Sequence, residues 1–461
     1  MMPRSLGWVA QATGGCLVGA DRVVDAIATD TRALPGGDAL FIALTGEQFD
    51  GHDHVHAAIN GGCVAALVAR EFDIDAPQVV VTDTTLALAA FACAVQRLRD
   101  TRVLAITGSN GKTSVKTLLL SILQQLGGAY ANPGNRNNEI GLPLAVIDAP
   151  DDARFAVYEM GAGKPGDIAY LTAIARPDVA LVNNIAPAHL ERMGSLQGVA
   201  DTKGAIYDAL PADGVAVVNA DDAFAAYFIE RQHGRRVVLF GIDAAADVHA
   251  RDIRIDTDGS RFVLVAPQGE VEVALPMPGR HNILNALAAT AMALAVGASI
   301  AQVRAGLEAV QPVAGRLVAH ALRSGAVLVD DSYNANPGSL AAAIDTLAGS
   351  GDEAWLVLGD MRELGADETA LHAQAGERAK AAGIARLFTL GGLSAHAAQA
   401  FGDGAREFET HEALADALAA ELRPGVRVLV KGSRGSAMDR IVKALLQRDA
   451  AENGGGTTNA A

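Results

Sequence analysis

Thr107-Gly108-Ser109-Asn110-Gly111-Lys112-Thr113 lies between the apolar run Val103-Leu104-Ala105-Ile106 and a helix-like stretch over 114–126. A strand, a glycine turn and a helix start, in that order, aim the turn's backbone N–H groups at one point. The helix dipole adds positive potential there. The chain is therefore expected to build an α/β sheet with an anion site at a strand tip. Lys112 offers a point charge for terminal phosphates and Thr113 a hydroxyl for a magnesium ion, with Gly108, Ser109, Asn110, Gly111 and Ser114 completing the cradle. ATP is the expected ligand. The general phosphate-loop pattern has glycine five positions before Gly111, where this chain has Ile106, so the loop is a shortened variant. An ordinary capped strand-to-helix turn is the alternative, and the flanking elements argue against it.

A chain of 461 residues is too long for one core. Residues 1–98 read as a small α/β unit, with strands expected at 39–44 and 65–68 and a helix at 86–99. Residues 99–312 alternate strand and helix. The runs 155–158, 179–182 and 214–218 are apolar throughout, as parallel strands buried on both faces require. Over 237–275 polar and apolar residues alternate, which predicts antiparallel strands appended to that sheet. A third α/β unit is expected over 313–448, with strands at 326–330, 354–358, 386–390 and 426–430. The low-complexity end, 449–461, is expected to be disordered.

The formal net charge of −16 argues against nucleic acid as a partner, although an acidic protein can still carry a locally positive cleft. Cys16, Cys63 and Cys93 form no C-x-x-C pair, so neither a zinc site nor a disulfide framework is indicated. The N-terminus lacks a sustained apolar core and stretches such as 285–296 are too short to span a bilayer. No membrane insertion and a cytoplasmic location are expected.

Several polar segments follow apolar runs. Glu159 ends one such run, where a carboxylate can hold magnesium; a surface glutamate is the alternative. His189, after another run, is a candidate second metal ligand or a packed histidine. Lys203 on its own reads as an exposed helix lysine. An ammonium cannot ligate a metal, but a carbamylated lysine is an anionic oxygen donor. The loop from Asn132 to Gly141 holds many oxyanion donors, or is simply a solvated turn. Asn282 and Asn285 share a helix face and either read an adenine edge or cap the helix. Asp331 tips a strand of the last unit, and Arg316, Lys431 and Arg434 supply positive charge.

In this order, the loop T-G-S-N-G-K-T, then N-N-E-I-G-L-P, E-M-G-A, N-N-I-A-P-A-H-L-E, K-G-A-I-Y, G-R-H-N-I-L-N-A-L-A-A and D-D-S-Y-N-A-N-P resemble the ATP-dependent Mur ligase family, from about Thr29 to Asp439. The resemblance implies a uridine-nucleotide domain, a central ATPase domain and a C-terminal Rossmann-like domain. It implies amide bond formation through an acyl phosphate. On that reading Lys112, His189 and a carbamylated Lys203 are catalytic. Thr113 and Glu159 hold one magnesium; His189 and Lys203 hold a second. Asn282, Asn285, Arg316 and Asp331 contact the nucleotide. Thr31, Arg32, Gly46, Phe49 and Asp50 look like the family's uridine segment, and Asn135, Asn138, Asn334 and Asn336 join them as substrate contacts. The run Asp331-Ser332-Tyr333-Asn334-Ala335-Asn336-Pro337 and the later Lys431-Gly432-Ser433-Arg434 resemble the branch that adds D-alanyl-D-alanine to UDP-N-acetylmuramoyl-tripeptide. Its partners are these two small molecules, and a monomer is expected.

Overall fold

The structure, a computed structural model, describes residues 1–46, 48–187, 190–311 and 313–451. Among the described residues Arg4–Ser5 and Val23–Val24 pair as a two-stranded ribbon, and three larger sheets flanked by helices follow one another along the chain. The first has five strands in the order Cys16–Val18, Gln78–Val80, Ala65–Val68, Ala39–Ile42, Ala26–Ala28, parallel except at the first pair. The helix Thr84–Arg97 leaves this unit. Asp83 caps it, accepting from the N–H groups of Thr85 and Leu86 at 2.8 and 2.9 Å, and Leu88, Phe91 and Val95 bury its inner face. That face packs on the helices Gly141–Asp148 and Asp167–Ala175 of the next unit.

The central sheet has nine strands. Arg102–Thr107 runs between Phe155–Glu159 and Val179–Val182, parallel to both. Val103, Leu104, Ala105 and Ile106 are buried, so the strand is apolar on both faces, as its sequence requires. Register fixes what meets at its end. Glu159 lies beside Ile106 and Val182 beside Thr107, so the glycine loop, Glu159 and Asn183 all emerge at one edge. A crevice outside the carboxyl ends of parallel strands is where such sheets bind ligands. The phosphate-loop helix, Lys112–Gln124, buries Val115, Leu118, Leu119, Ile122 and Leu123 and packs against Arg280–Ala295.

One expectation needs correction. Arg236–Gly241 is not antiparallel: it runs parallel to Val215–Asn219 and to Val248–Ile255. The helix Ala225–Glu230 carries the chain back to the same end before it begins. Antiparallel pairing starts only after Val248–Ile255. There Asp256 accepts from the N–H of Asp258 and of Gly259, turning the chain into Ser260–Ala266 and then Gly269–Leu275.

The third sheet orders Val318–Ala321, Val327–Asp331, Val426–Lys431, Glu353–Gly359, Arg386–Leu390, Ala405–Phe408, with only the first pair antiparallel. The closing helix Asp439–Ala451 buries Ile441, Val442 and Leu445, so 449–451, expected in the disordered end, are helical. Residues 452–461 lie outside the described residues. Among the described residues no helix is long and apolar enough to cross a membrane.

Candidate active site

The glycine loop is held from the neighbouring strand tip. Gly111 has φ 79°, and a Cβ there would lie 2.4 Å from Asn285 Oδ1 and 2.5 Å from Asn183 Nδ2. Only glycine fits both the backbone and the space. Asn183 Nδ2 donates to Asn110 O (3.0 Å) and to Asn285 Oδ1 (2.9 Å). Asn184 Oδ1 accepts from the Asn110 N–H at 2.8 Å, and Asn184 O from the Ser109 N–H at 3.0 Å. Asn285 donates in turn to Asn282, which donates to Pro278 O. The loop's shape is thus set by a buried polar ladder.

Lys112 bends over its own loop, donating to Gly108 O at 2.7 Å. Burial holds its ammonium below the usual lysine range; Glu159 opposes the shift and Arg316 adds to it. Glu159 is 4% exposed and gripped on both oxygens. Thr113 Oγ1 donates to Oε2 at 2.9 Å, Asn137 Nδ2 donates to Oε1 at 2.9 Å, and Lys116 Nζ stands 3.2 Å from Oε2. Burial works against the ionised form, but Lys116, Lys112 and these donors outweigh it and keep the carboxyl below its ordinary value.

The C-terminal unit closes over this edge. Arg316 Nη2 donates to Thr113 Oγ1 at 2.8 Å, and its guanidinium stacks 4.4 Å from the Tyr333 ring centre. Asn336 caps the helix Pro337–Ala348 and donates to Asn110 Oδ1 at 2.7 Å. Lys431 Nζ donates to Asp331 Oδ2 at 2.7 Å and to Asn334 O at 2.9 Å. Burial pushes the Asp331 carboxyl up, while Lys431 resists. Between the two units lies a cavity of about 390 Å³, walled by Lys112, Asn282, Asn285, Arg316, Asp331 and Asn336. His281 also faces it, and burial lowers that imidazole to about 4, so it is neutral. A second cavity of about 370 Å³ opens towards Asn138, Gly161, Lys164 and Arg192. Lys112 and Asn137 line both, so the two spaces meet at the lysine.

Lys203 corrects the expectation of an exposed lysine: it is 2% exposed. In the helix Leu196–Asp208 it falls on the face of Val199, Ile206 and Tyr207, all fully buried. Burial lowers its pKa to about 7; Lys112 pushes the same way and Asp167 opposes. The neutral amine is the form that adds CO₂, and near pH 7 a substantial fraction of this buried amine is neutral, so the side chain suits a carbamate. His189 lies outside the described residues.

Three family models match the chain: one described as Mur ligase family, catalytic domain over 23–100, one as Mur ligase middle domain over 106–293, and one as Mur ligase, glutamate ligase domain over 315–434. The chain belongs to the Mur ligase family. The UDP-N-acetylmuramoyl-tripeptide–D-alanyl-D-alanine ligase of Escherichia coli K12 is 44% identical over 448 residues, covering 96% of this Mur ligase and 99% of that protein. Crystal structure I of MurF from Acinetobacter baumannii is 32% identical, with a TM-score of 0.92 over 97% of this chain and 99% of that one. MurF ligase from Thermotoga maritima in complex with ADP is 26% identical, with a TM-score of 0.84 over 93% and 99%.

Not every residue singled out in this Mur ligase reaches the two cavities. Thr31, Arg32, Gly46, Phe49 and Asp50 line neither. Arg32 pairs with Asp30 at 2.7 Å on the surface, and Phe49 is 56% exposed. Gly46 N–H donates to Phe49 O at 2.9 Å, closing that loop. Asp50 Oδ1 accepts from His52 Nδ1 at 2.6 Å. Asn135 is exposed, and Asn138 Oδ1 accepts from the Gly141 N–H at 2.8 Å, where a helix starts. Sequence reasoning missed Lys116, and it placed Asn137, Asn183 and Asn184 only within motifs, without giving them a role. Lys116 carried a readable signal: it follows Lys112 by one helical turn and shares its face.

A magnesium ion, which the family implies, suits this donor set. Thr113 Oγ1 and Glu159 Oε2 are hard oxygens 2.9 Å apart on the cavity wall. Among the described residues no group of three or more His, Cys, Asp or Glu side chains could hold a metal, and Thr113 and Glu159 offer two protein oxygens. Magnesium is typically held that way, by one or two protein oxygens.

Proposed function

We propose that this Mur ligase joins D-alanyl-D-alanine to UDP-N-acetylmuramoyl-tripeptide and converts ATP to ADP and phosphate. The near full-length identity to the Escherichia coli ligase carries the choice of substrates. The meeting of two cavities at Lys112 supports the chemistry.

ATP occupies the cavity between the central and C-terminal units. Its triphosphate lies on the backbone of Ser109 to Ser114, and its base and ribose lie among Asn282, Asn285, His281 and Asp331. The tripeptide carboxylate enters from the second cavity, beyond Lys112. A carboxylate oxygen attacks the γ-phosphorus and the bond to the ADP oxygen breaks. The dipeptide amine then attacks the acyl carbon, and phosphate leaves with that oxygen. Lys112 and Arg316 offset the charge that builds as two anions approach. Thr113 and Glu159, and at a second position His189 and carbamylated Lys203, would hold magnesium, which would supply Lewis-acid charge to the phosphoryl oxygens. The exposed segment around Phe49 and Asp50 receives the uridine, with Asn138 along the path and Asn334 near the dipeptide. The proposed unit is a monomer in the cytoplasm.

The test is phosphate release from ATP with each substrate omitted in turn. Release that needs both the tripeptide nucleotide and the dipeptide, with one dipeptide joined per ATP, is expected. Release that ignores the dipeptide would leave a nucleotide switch or a different ligase as the better reading.

A further inference from the structure

Lys116 is buried, 6% exposed, and its ammonium meets three acceptors: Asn132 O at 2.9 Å, Gly134 O at 3.0 Å and Glu159 Oε2 at 3.2 Å. None of these is a phosphate contact, and the reaction above gives Lys116 nothing to do. Two effects follow from the geometry. The turn Asn132–Gly134 is tied to Glu159 through Lys116, and the same turn returns Asn132 Oδ1 to accept the Glu159 N–H at 2.9 Å. The carboxylate is therefore held by Lys116, Thr113 and Asn137, while Asn132 fixes the Glu159 backbone through both its N–H and its C=O.

The second effect is electrostatic. Glu159 stands between Lys112 and Lys116, and Arg316 is one hydrogen bond further out, donating to the Thr113 hydroxyl that donates to the carboxylate. The other acid of the cavity, Asp331, is paired with Lys431 and adds no free negative charge. A divalent cation approaching Glu159 alone must shed water and meet a positive field at close range. A triphosphate reverses the sign of that field, because it brings several negative charges onto the same loop.

We propose that Lys116 is a resident counter-cation for Glu159, which positions the carboxylate yet denies it a free divalent ion, so that metal enters only together with the nucleotide phosphates. This rests on reading Glu159 as a metal-side carboxylate. Its test measures metal binding rather than ligation, so its failure leaves the ligase reading untouched.

Mn²⁺ binding to the full-length protein can be followed by loss of the free-ion electron paramagnetic resonance signal. Protein with Glu159→Gln measures ions held elsewhere and is subtracted. The wild type is expected to add no Mn²⁺ at Glu159 without nucleotide, and to add it once ADP or a non-hydrolysable ATP analogue is present. Lys116→Gln is expected to bind Mn²⁺ without nucleotide, at least about tenfold more tightly than the detection limit the wild type sets, the scale typical of changing a neighbour beside a metal ligand. Lys116→Arg, which keeps the charge, is expected to exclude the ion as wild type does. Glu159-dependent Mn²⁺ binding by the nucleotide-free wild type, as tight as with nucleotide, would overturn the proposal whether or not the variants fold. So would a folded Lys116→Gln protein that excludes the ion.

Discussion

The phosphate edge of the central sheet and the segment from Asp30 to His52 are built on opposite plans. At the phosphate edge every shape-setting group is gripped: Asn183 and Asn184 hold the loop, Asn132, Lys116 and Asn137 hold Glu159, and Arg316 reaches in from another unit. In the N-terminal segment the strand Ala39–Ile42 is built into the first sheet, but the polar contacts of Arg32, Gly46 and Asp50 are local. Arg32 folds onto Asp30, Gly46 onto Phe49, Asp50 onto His52, and the Phe49 ring faces solvent. The lesson is a division of labour. Triphosphate chemistry needs charges preorganised to within a fraction of an ångström. Recognition of a distant nucleotide handle needs only an anchor, whose binding energy is collected when the ligand covers it.

Mutations can break that comparison. Lys112→Ala carries the largest expected effect, a loss of kcat of roughly 100- to 1000-fold in phosphate release, as for removal of one preorganised charge or donor. Gly111→Ala comes next. It forces φ 79° on a residue with a Cβ and drives that Cβ into Asn285 and Asn183. About 1–3 kcal/mol of stability should be lost, read from denaturant unfolding, together with nucleotide affinity. Lys203→Ala should cost roughly tenfold to a hundredfold in kcat, measured at saturating substrates.

Lys203 also predicts a pH dependence. Its folded value of about 7 lies below the ordinary 10.5. Between those values the unfolded chain holds a proton that the folded chain has released, so this group raises stability as pH climbs from about 7, and that contribution is absent below it. The amine able to form a carbamate is lost over the same fall in pH. Activity should therefore drop below about pH 7 and recover in part with added bicarbonate; a rate indifferent to both removes the carbamate from the account. The smallest effect belongs to the other region. Phe49→Ala should raise KM for the tripeptide nucleotide about tenfold, the worth of one base-on-ring contact. It should leave KM for ATP unchanged, and stability within about 0.5 kcal/mol. Equal rises in both KM values would erase the contrast between the two regions.

What the sequence revealed divides along the same line. Apolar runs ending in polar tips made the strands before Lys112, Glu159 and Asp331 readable, because a parallel strand buried on both faces leaves a local pattern. The direction of Arg236–Gly241 was not readable from alternation nearby. It depended on the helix that precedes the strand, and its own run Val237-Val238-Leu239-Phe240 is continuously apolar. The burial of Lys203 was half visible, since Val199, Ile206 and Tyr207 mark its face, but a lone lysine on such a face is easily assigned to solvent. The ladder from Asn183 to Asn285 joins residues about a hundred positions apart, and only the packed sheet and helix bring them together. Isolated asparagines in sequence carry no sign of that partnership.

The most direct test of the reaction follows one oxygen atom. With ¹⁸O in the terminal carboxylate of UDP-N-acetylmuramoyl-tripeptide, turnover with ATP and D-alanyl-D-alanine should deliver one labelled oxygen to the released phosphate. Phosphate that carries no label from the carboxylate would mean that water, not the substrate, attacks the γ-phosphorus, and the acyl phosphate route would be wrong.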